Sequence, residues 1–571
     1  MEKHDFITDI FLPDMLYGIT IRSPIAKGSI VSIDCPKLPE NYTLLTAKDI
    51  PGNNYLYETN MPVLAENKLS YIGEPVAMIF GPNRNTLEEC VKECKVNTKE
   101  EKPIFNKSEK KIIAVKRNWK TGDPDGAFSK AESVIQNEYS TGIQEHWYAE
   151  TVSAVAWFNT QKKRKELIVK TAAQWPKHVK NSVAIMLGTD ASKIKVESAQ
   201  IGMPLDGKLW YPSLIACHTA LGAWLTKKPV RLTLTRGEDF LFSPKRCASE
   251  INIKSAYDAK GELLGLKITA YVSLGAYQIN ANEIIENVFL GCLGVYDVKN
   301  IDFEGYGILT NIPPQGAFAG FGLAQGNFAL ERHISQIRKK TNVNPVEWRK
   351  KNVLKQKMLP SKLQLKDNIP ALNLIDSVVK MSGFERKWAA YSLLSNNYSR
   401  ESINKGIGIA LGYQGNDNID NSNYSRPGWI AAVVEVEIDP IEFIPNVRGV
   451  WLCVEGGKIL KKDYAVWRLK ASAVQALCWA YNEKISYVPG AIPIGQLNNF
   501  DIIAPLKIPP INVEFLESKD DPKGISDLPF TCIPAAFLQA VSQIMGCHFQ
   551  SIPLKALDIL SSDSSEIQRV K

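Results

Sequence analysis

Cys90 and Cys94 form the nearest cysteine pair in the chain, four residues apart in Cys-Val-Lys-Glu-Cys. On a helix that spacing puts both thiols on one face. Two thiolates could begin a metal site, but tetrahedral zinc needs further ligands nearby and none stands in this stretch. These are therefore structural or surface thiols. The ten cysteines show no paired framework and no ferredoxin-type spacing for an iron–sulfur cluster, and the six histidines form no zinc motif. Gly406, Gly408 and Gly412 miss the Gly-x-Gly-x-x-Gly spacing of a dinucleotide loop, so they read as strand and turn glycines. The densest basic cluster, Lys107, Lys110, Lys111, Lys116, Arg117 and Lys120, alternates with apolar residues downstream of Pro103 and reads as a solvated linker. The chain has no basic stripe interleaved with aromatics, which argues against nucleic acid as a partner.

These residues must be positioned by more than one core. A chain of 571 residues implies two to four domains. Hydrophobic residues at 45% and charged residues at 22% fit a globular protein, and 68 basic against 60 acidic residues leave a mild net charge of +8. No apolar run approaches the ~20 residues of a membrane helix, and the start lacks a basic-then-apolar signal. The expected location is cytoplasmic, with no membrane partner. Residues 8–97 read as an α/β unit, with strands at Ile19–Arg22 and Pro75–Phe80 and a helix at Thr86–Val96. A charged stretch over 98–125 ends in Thr121-Gly-Asp-Pro-Asp-Gly, which is turn chemistry suited to a boundary. Residues 126–355 alternate strands with helices predicted at 176–187, 213–225 and 325–340. Residues 370–560 hold a strand at 431–438 and helices near 463–480 and 533–544. The mixture indicates α+β or α/β domains.

An ordered set of motifs resembles the large, molybdenum-cofactor-binding subunit of the xanthine dehydrogenase and aldehyde oxidase family over most of the chain. Phe11-Leu-Pro-Asp-Met-Leu-Tyr, Arg22-Ser-Pro-Ile-Ala and Tyr71-Ile-Gly-Glu-Pro-Val-Ala resemble that family's hammerhead domain. Gln144-Glu-His-Trp-Tyr-Ala-Glu-Thr, Thr171-Ala-Ala-Gln-Trp-Pro, Gly320-Phe-Gly-Leu-Ala-Gln and Asn344-Pro-Val-Glu-Trp-Arg resemble its first cofactor-binding domain. Asp521-Pro-Lys-Gly-Ile-Ser-Asp-Leu-Pro resembles its catalytic-carboxylate segment. The resemblance implies an α+β fold: a hammerhead domain (8–97), a linker (98–125), a first molybdopterin-binding-type domain (126–355) and a truncated second one (370–560).

The resemblance also implies a chemistry. The family uses a molybdenum–pterin cofactor to hydroxylate a heterocycle or aldehyde, with a carboxylate as general base and preorganised donors around the metal's oxygens. Carried over by position, Asp527 takes the place of the catalytic glutamate, one methylene shorter. Gln174 matches the glutamine beside a molybdenum oxygen. Gly202 and Gly207 bracket the altered cofactor loop, and Gly320, Phe321 and Gly322 form the next one. In the first loop Pro204 has no amide proton, and Met203 and Leu205 replace glycines. Leu209 stands where purine-oxidising members have a glutamate, and Ala319 stands where the family has an arginine. After Gly412-Tyr-Gln-Gly the family continues through a cofactor-binding lobe, whereas here 416–427 leads directly to the strand at Ala431.

Two functions follow. One is a subunit of a molybdenum hydroxylase-type oxidoreductase acting on a small heterocycle or aldehyde. The other is a non-catalytic paralogue that assembles with a full-length molybdenum subunit or scaffolds electron-transfer subunits. In both, iron–sulfur and flavin centres are expected on partner subunits, since this chain shows no motif for either.

Overall fold

The computed structural model describes residues 6–105, 112–159, 166–361, 364–395, 404–415, 424–439, 441, 443–487 and 507–567. Lys107, Lys110, Lys111 and the 416–423 part of the shortened lobe lie outside the described residues.

A seven-stranded sheet crosses the expected first boundary. Its order is Ile194–Ser198, Glu166–Thr171, Ser153–Asn159, Val230–Thr233, Leu16–Arg22, Pro75–Gly81 and Thr43–Thr46. Leu16–Arg22 runs parallel to Val230–Thr233, with Leu16 opposite Val230. The N-terminal unit and the following domain thus share one sheet. Pro75–Gly81 is buried at every position, which is why it reads as an unbroken apolar run.

Helix α1 spans Arg84–Glu93 and is capped by Asn83, whose side chain accepts from Thr86 N at 3.2 Å. It stops short of the predicted Val96 because Lys95–Glu100 leaves as a strand that pairs with Gly28–Asp34. That exit carries Cys94 to Cys35, with which it forms a disulfide at a Cα–Cα distance of 4.2 Å. The reading of Cys94 as a structural or surface thiol at helical spacing is corrected accordingly: it lies past the helix end and is disulfide-bonded, while Cys90 stays free and buried.

The predicted linker is also corrected. Ile112–Thr121 is an edge strand, antiparallel to Ile301–Leu309, in a six-stranded sheet with Leu263–Gly275, Ser249–Tyr257, Ser133–Thr141 and Ser551–Ile552. Lys116 and Lys120 face solvent while Val115 and Trp119 turn inward, and Trp119 stacks on Phe289 at 4.7 Å. The basic-apolar alternation is strand periodicity, with charge protecting an open edge.

The predicted helices form with shifted ends. Helix α2 spans Pro176–Met186 with proline in its first turn, and Gly188 follows at φ +59°. Helix α3 is Tyr211–Thr226, α4 is Ala281–Leu293 and α5 is Leu323–Lys340. Helices α6, Phe384–Ser395, and α7, Lys462–Leu477, follow. Helix α8, Leu528–Met545, begins five residues before the prediction because Pro529 suits a first turn. By length and composition α8 could cross a bilayer, but 94% of it is buried inside the protein, so it is a core helix.

Helix α8 lies against Asn404–Gln414, the edge of a four-stranded sheet completed by Gly428–Ile438, Pro445–Glu455 and Ile511–Phe515. Gly406, Gly408 and Gly412 share one strand face by parity. A Cβ there would come within 2.2 Å of Ala540 O, 2.0 Å of Ala536 O and 2.0 Å of Thr531 Oγ1, respectively. These glycines let helix and strand backbones touch. Gly408→Ala is expected to destabilise the fold by about 1–3 kcal/mol through overpacking, measured as a lower denaturant midpoint than that of the parent chain. An unchanged midpoint would show that the contact relaxes freely.

Candidate functional site

A cavity of about 500 Å³ opens between the first cofactor-type domain and the C-terminal sheet and helices. One wall is Gln174 and the Pro204–Asp206 turn, a second is Glu283 and Glu286 on α4, and a third is Ala319–Phe321. The C-terminal region supplies Gln414, Arg468 on α7, and Ser526 and Asp527 ahead of α8.

The first wall has an unusual backbone. Leu205 and Asp206 both hold positive φ, +50° and +69°. Left-handed residues with a Cβ cost roughly 1–2 kcal/mol each. The turn is held by Gly207 N donating to Pro204 O at 2.9 Å, and by Gln174 N donating to Lys208 O at 2.8 Å. Lys208 is buried and paired with Glu150. Leu205 packs into the main core, so Asp206 is delivered to the cavity.

Asp527 stands at the N-terminus of α8 but does not cap it with its side chain. Its Oδ2 accepts instead from Gly320 N at 3.0 Å, across the cavity. Its Oδ1 accepts from Ser526 Oγ, and its own N donates to Gln414 Oε1, both at 3.0 Å. Gln174 Nε2 donates to Asp206 Oδ1 at 2.9 Å, which leaves Gln174 Oε1 buried without a partner. Burial, followed by the Asp527 charge, raises the Asp206 carboxyl to about 6, against the opposing bond from Gln174.

Of the site residues read from the sequence, Gln174, Gly320, Phe321 and Asp527 meet in this cavity. Gly202, Gly207 and Gly322 do not line it. A Cβ at Gly207 would strike His146 and Tyr148 at 2.6 Å, and one at Gly322 would strike Ile284 O at 2.3 Å, so both serve packing of the chain on itself. Gly202 is exposed, with nothing within 4 Å of a Cβ position. Asp206, Glu286, Gln414 and Arg468 are contributors that sequence reading gave no role. Asp206 sat inside the quoted loop, but nothing local shows that its carboxylate bonds Gln174.

A molybdenum–pterin group is anionic and needs convergent donors at its oxygens and phosphate. Here Gly320 N and Gln174 Nε2, two donors that face the cavity, are already satisfied by Asp527 and Asp206. Among the described residues, four carboxylates and one arginine line the space. Among the described residues, those lining this cavity do not fit that group as they stand, and no catalytic step is derived through it.

Asp206 makes the electrostatics testable. Its folded-state value lies above the ordinary carboxyl, so its contribution to stability is fully present below about pH 4 and is lost as pH rises through about 6. Asp206→Asn keeps an acceptor for Gln174 without the charge. It should match the parent near pH 4 and exceed it in stability by on the order of 2–3 kcal/mol at pH 8, read from denaturant midpoints across pH. A constant difference would refute the assignment.

Residues 3–102 match the family model for the aldehyde oxidase and xanthine dehydrogenase a/b hammerhead domain, and residues 104–353 match that for the molybdopterin cofactor-binding domain. Aldehyde oxidase 2 of Rattus norvegicus is 28% identical over 348 residues, 60% of this chain and 26% of that protein. The large molybdopterin subunit of nicotinate dehydrogenase from Eubacterium barkeri is 27% identical over 361 residues, 60% of this chain and 84% of that subunit. The match therefore spans about a quarter of the aldehyde oxidase. In structure the chain is similar to quinoline 2-oxidoreductase from Pseudomonas putida 86, with a TM-score of 0.88 at 16% identity over 98% of this chain and 96% of that one. It is also similar to CO dehydrogenase from Oligotropha carboxidovorans, with a TM-score of 0.88 at 16% identity over 99% and 96%. The solved structures show the same fold, and the two matching models, over residues 3–102 and 104–353, make this chain a member of the xanthine dehydrogenase and aldehyde oxidase family, corresponding to its molybdenum subunit.

Proposed function

We propose that this chain is a non-catalytic paralogue of the family's molybdenum subunit, which works by assembling with a full-length molybdenum subunit or with iron–sulfur and flavin subunits of a molybdenum hydroxylase-type oxidoreductase. The observation that carries this reading is the internal satisfaction of the cavity's donors, Gly320 N by Asp527 and Gln174 Nε2 by Asp206. An oxyanionic metal group entering there would have to displace both carboxylates and then sit beside them. In a partly buried site, like charges a few ångströms apart repel by several kcal/mol at an effective dielectric of about 20. Leu209 and Ala319 also remove the polar partners that a purine would meet, each missing partner costing on the order of 1–3 kcal/mol.

The retained fold is consistent with an assembly role, since fold and site chemistry are separable. The relatives include a protein named as one subunit of a larger enzyme.

Expression in a molybdopterin-competent host, with and without candidate partner subunits, tests the reading. Metal is measured by mass spectrometry and pterin by fluorescence. The chain alone is expected to carry far less than one molybdenum per polypeptide, and metal is expected to appear in the complex when a full-length molybdenum subunit is present. Near-stoichiometric molybdenum and pterin on the chain alone would overturn it and restore Asp527 as a candidate general base.

A further inference from the structure

A second cavity, of about 260 Å³, lies at the far end of the same two helices, between the C-terminal turns of α5 and α8, helix α6 and the 546–548 turn. Thr531 in the acidic cavity and Ser542 in this one are about 16 Å apart along the α8 axis. The lining here is cationic. Arg332, Arg338 and Lys339 contribute the charge beside the neutral His548 ring, and among the described residues no aspartate or glutamate lines it.

Among the described residues, four donors of the lining have no partner: Arg332 Nη1, Arg338 Nε, Gln539 Nε2 and His548 Nε2. Arg332 is fully buried and Gln539 is 2% exposed. Their remaining atoms are engaged, which fixes their orientation. Arg332 donates from Nε to Phe549 O at 3.1 Å, and from Nη2 to Ser542 Oγ at 2.8 Å and His548 Nδ1 at 2.9 Å. Gln539 Oε1 accepts from Ile409 N at 2.6 Å. Because His548 Nδ1 accepts from a guanidinium, its ring proton belongs on Nε2, which is then a donor. Burial and the neighbouring cations Arg332, Lys339 and Arg338 hold that ring neutral. The Arg338 guanidinium lies over the Trp388 ring at 4.8 Å.

Cations commonly gather at helix C-termini to offset the dipole, and Lys339 does so by donating to Gly546 O at 2.6 Å. That role does not account for the rest. Arg332 and Arg338 are desolvated beside each other, and burial lowers both to about 10. Buried charge is ordinarily paired, and buried donors are ordinarily bonded. Several donors and no acceptor charge around a small cavity define an anion-binding site, and guanidinium groups suit a tetrahedral oxyanion in particular.

We propose that this cavity binds a phosphate-type oxyanion, either free phosphate or the phosphate end of a small ester. The full chain, purified without phosphate or sulfate, is titrated calorimetrically with inorganic phosphate and with glycerol phosphate, at ionic strength held constant with chloride. Saturable binding of about one equivalent is expected. Arg338→Gln removes a charge from a half-buried residue, and Gln539→Glu replaces the donor with a carboxylate oxygen while keeping the acceptor for Ile409. Each should weaken binding at least tenfold, with both variants still unfolding cooperatively. Tighter binding of the ester assigns the site to the end of a larger molecule, and tighter binding of phosphate assigns it to the free ion. No saturable binding of either probe, or binding unaffected by both substitutions, overturns the proposal and leaves water as the partner of these donors.

Discussion

Ile407, Ile409 and Leu411 present backbone N–H groups on the open edge of the four-stranded sheet, and helical side chains close that edge. Gln543 and Gln539 of α8 accept from Ile407 and Ile409 at 2.8 and 2.6 Å, and Glu331 of α5 accepts from Leu411 at 3.3 Å. An uncovered edge is a template for pairing with another chain, and unbonded N–H groups at buried depth are costly. Glycines on the adjoining strand face bring the helix close enough for short glutamine side chains to reach. Both cavities hang on this seam. At its end, Gln414 accepts from Asp527 N, which sets the carboxylate that bonds Gly320. In its middle, Gln539 is held by Ile409 with its amide nitrogen turned to the cationic cavity.

Helix α5 runs between the two cavities and carries buried charge along its length. Glu331 is bonded by Tyr296 Oη and Arg349 in addition to Leu411 N, with both charged partners about 1% exposed. Removing one member of such a pair strands the other in a low-dielectric core at a cost of several kcal/mol. Arg332, the next residue along, has hydrogen bonds but, among the described residues, no such counter-charge. Its neighbour on the helix thus shows what a compensated buried charge looks like in this core, and the contrast isolates Arg332 and Arg338 as the uncompensated ones.

The family architecture is present here, with carboxylates engaging two of the donors that face its cavity. A core asks for volume and polarity at each position, which Leu205 still supplies. A cofactor site asks for free donors in fixed places, which one carboxylate can occupy. The Leu205–Asp206 turn shows both demands at once. The backbone holds a conformation that suits glycine, while Leu205 fills the core and Asp206 lines the cavity with charge.

The sequence by itself determined the local elements and the kinship. The helices at 176–186, 211–226 and 323–340 were legible because apolar periodicity, first-turn prolines and stop glycines act within a few residues. The ordered motifs located Gln174, Gly320, Phe321 and Asp527, which the fold brings into one cavity. Only the tertiary structure decided what those residues bond. The Gly320–Asp527 contact spans 207 residues, Ile409–Gln539 spans 130, and the Cys35–Cys94 disulfide spans 59. The strand at 112–121 looked like a linker because its alternation gains meaning only opposite Ile301–Leu309. Periodicity reports which face of an element is apolar. It cannot report which distant donor meets which acceptor, because that choice is made by the packing of separate elements and has no signature in neighbouring residues.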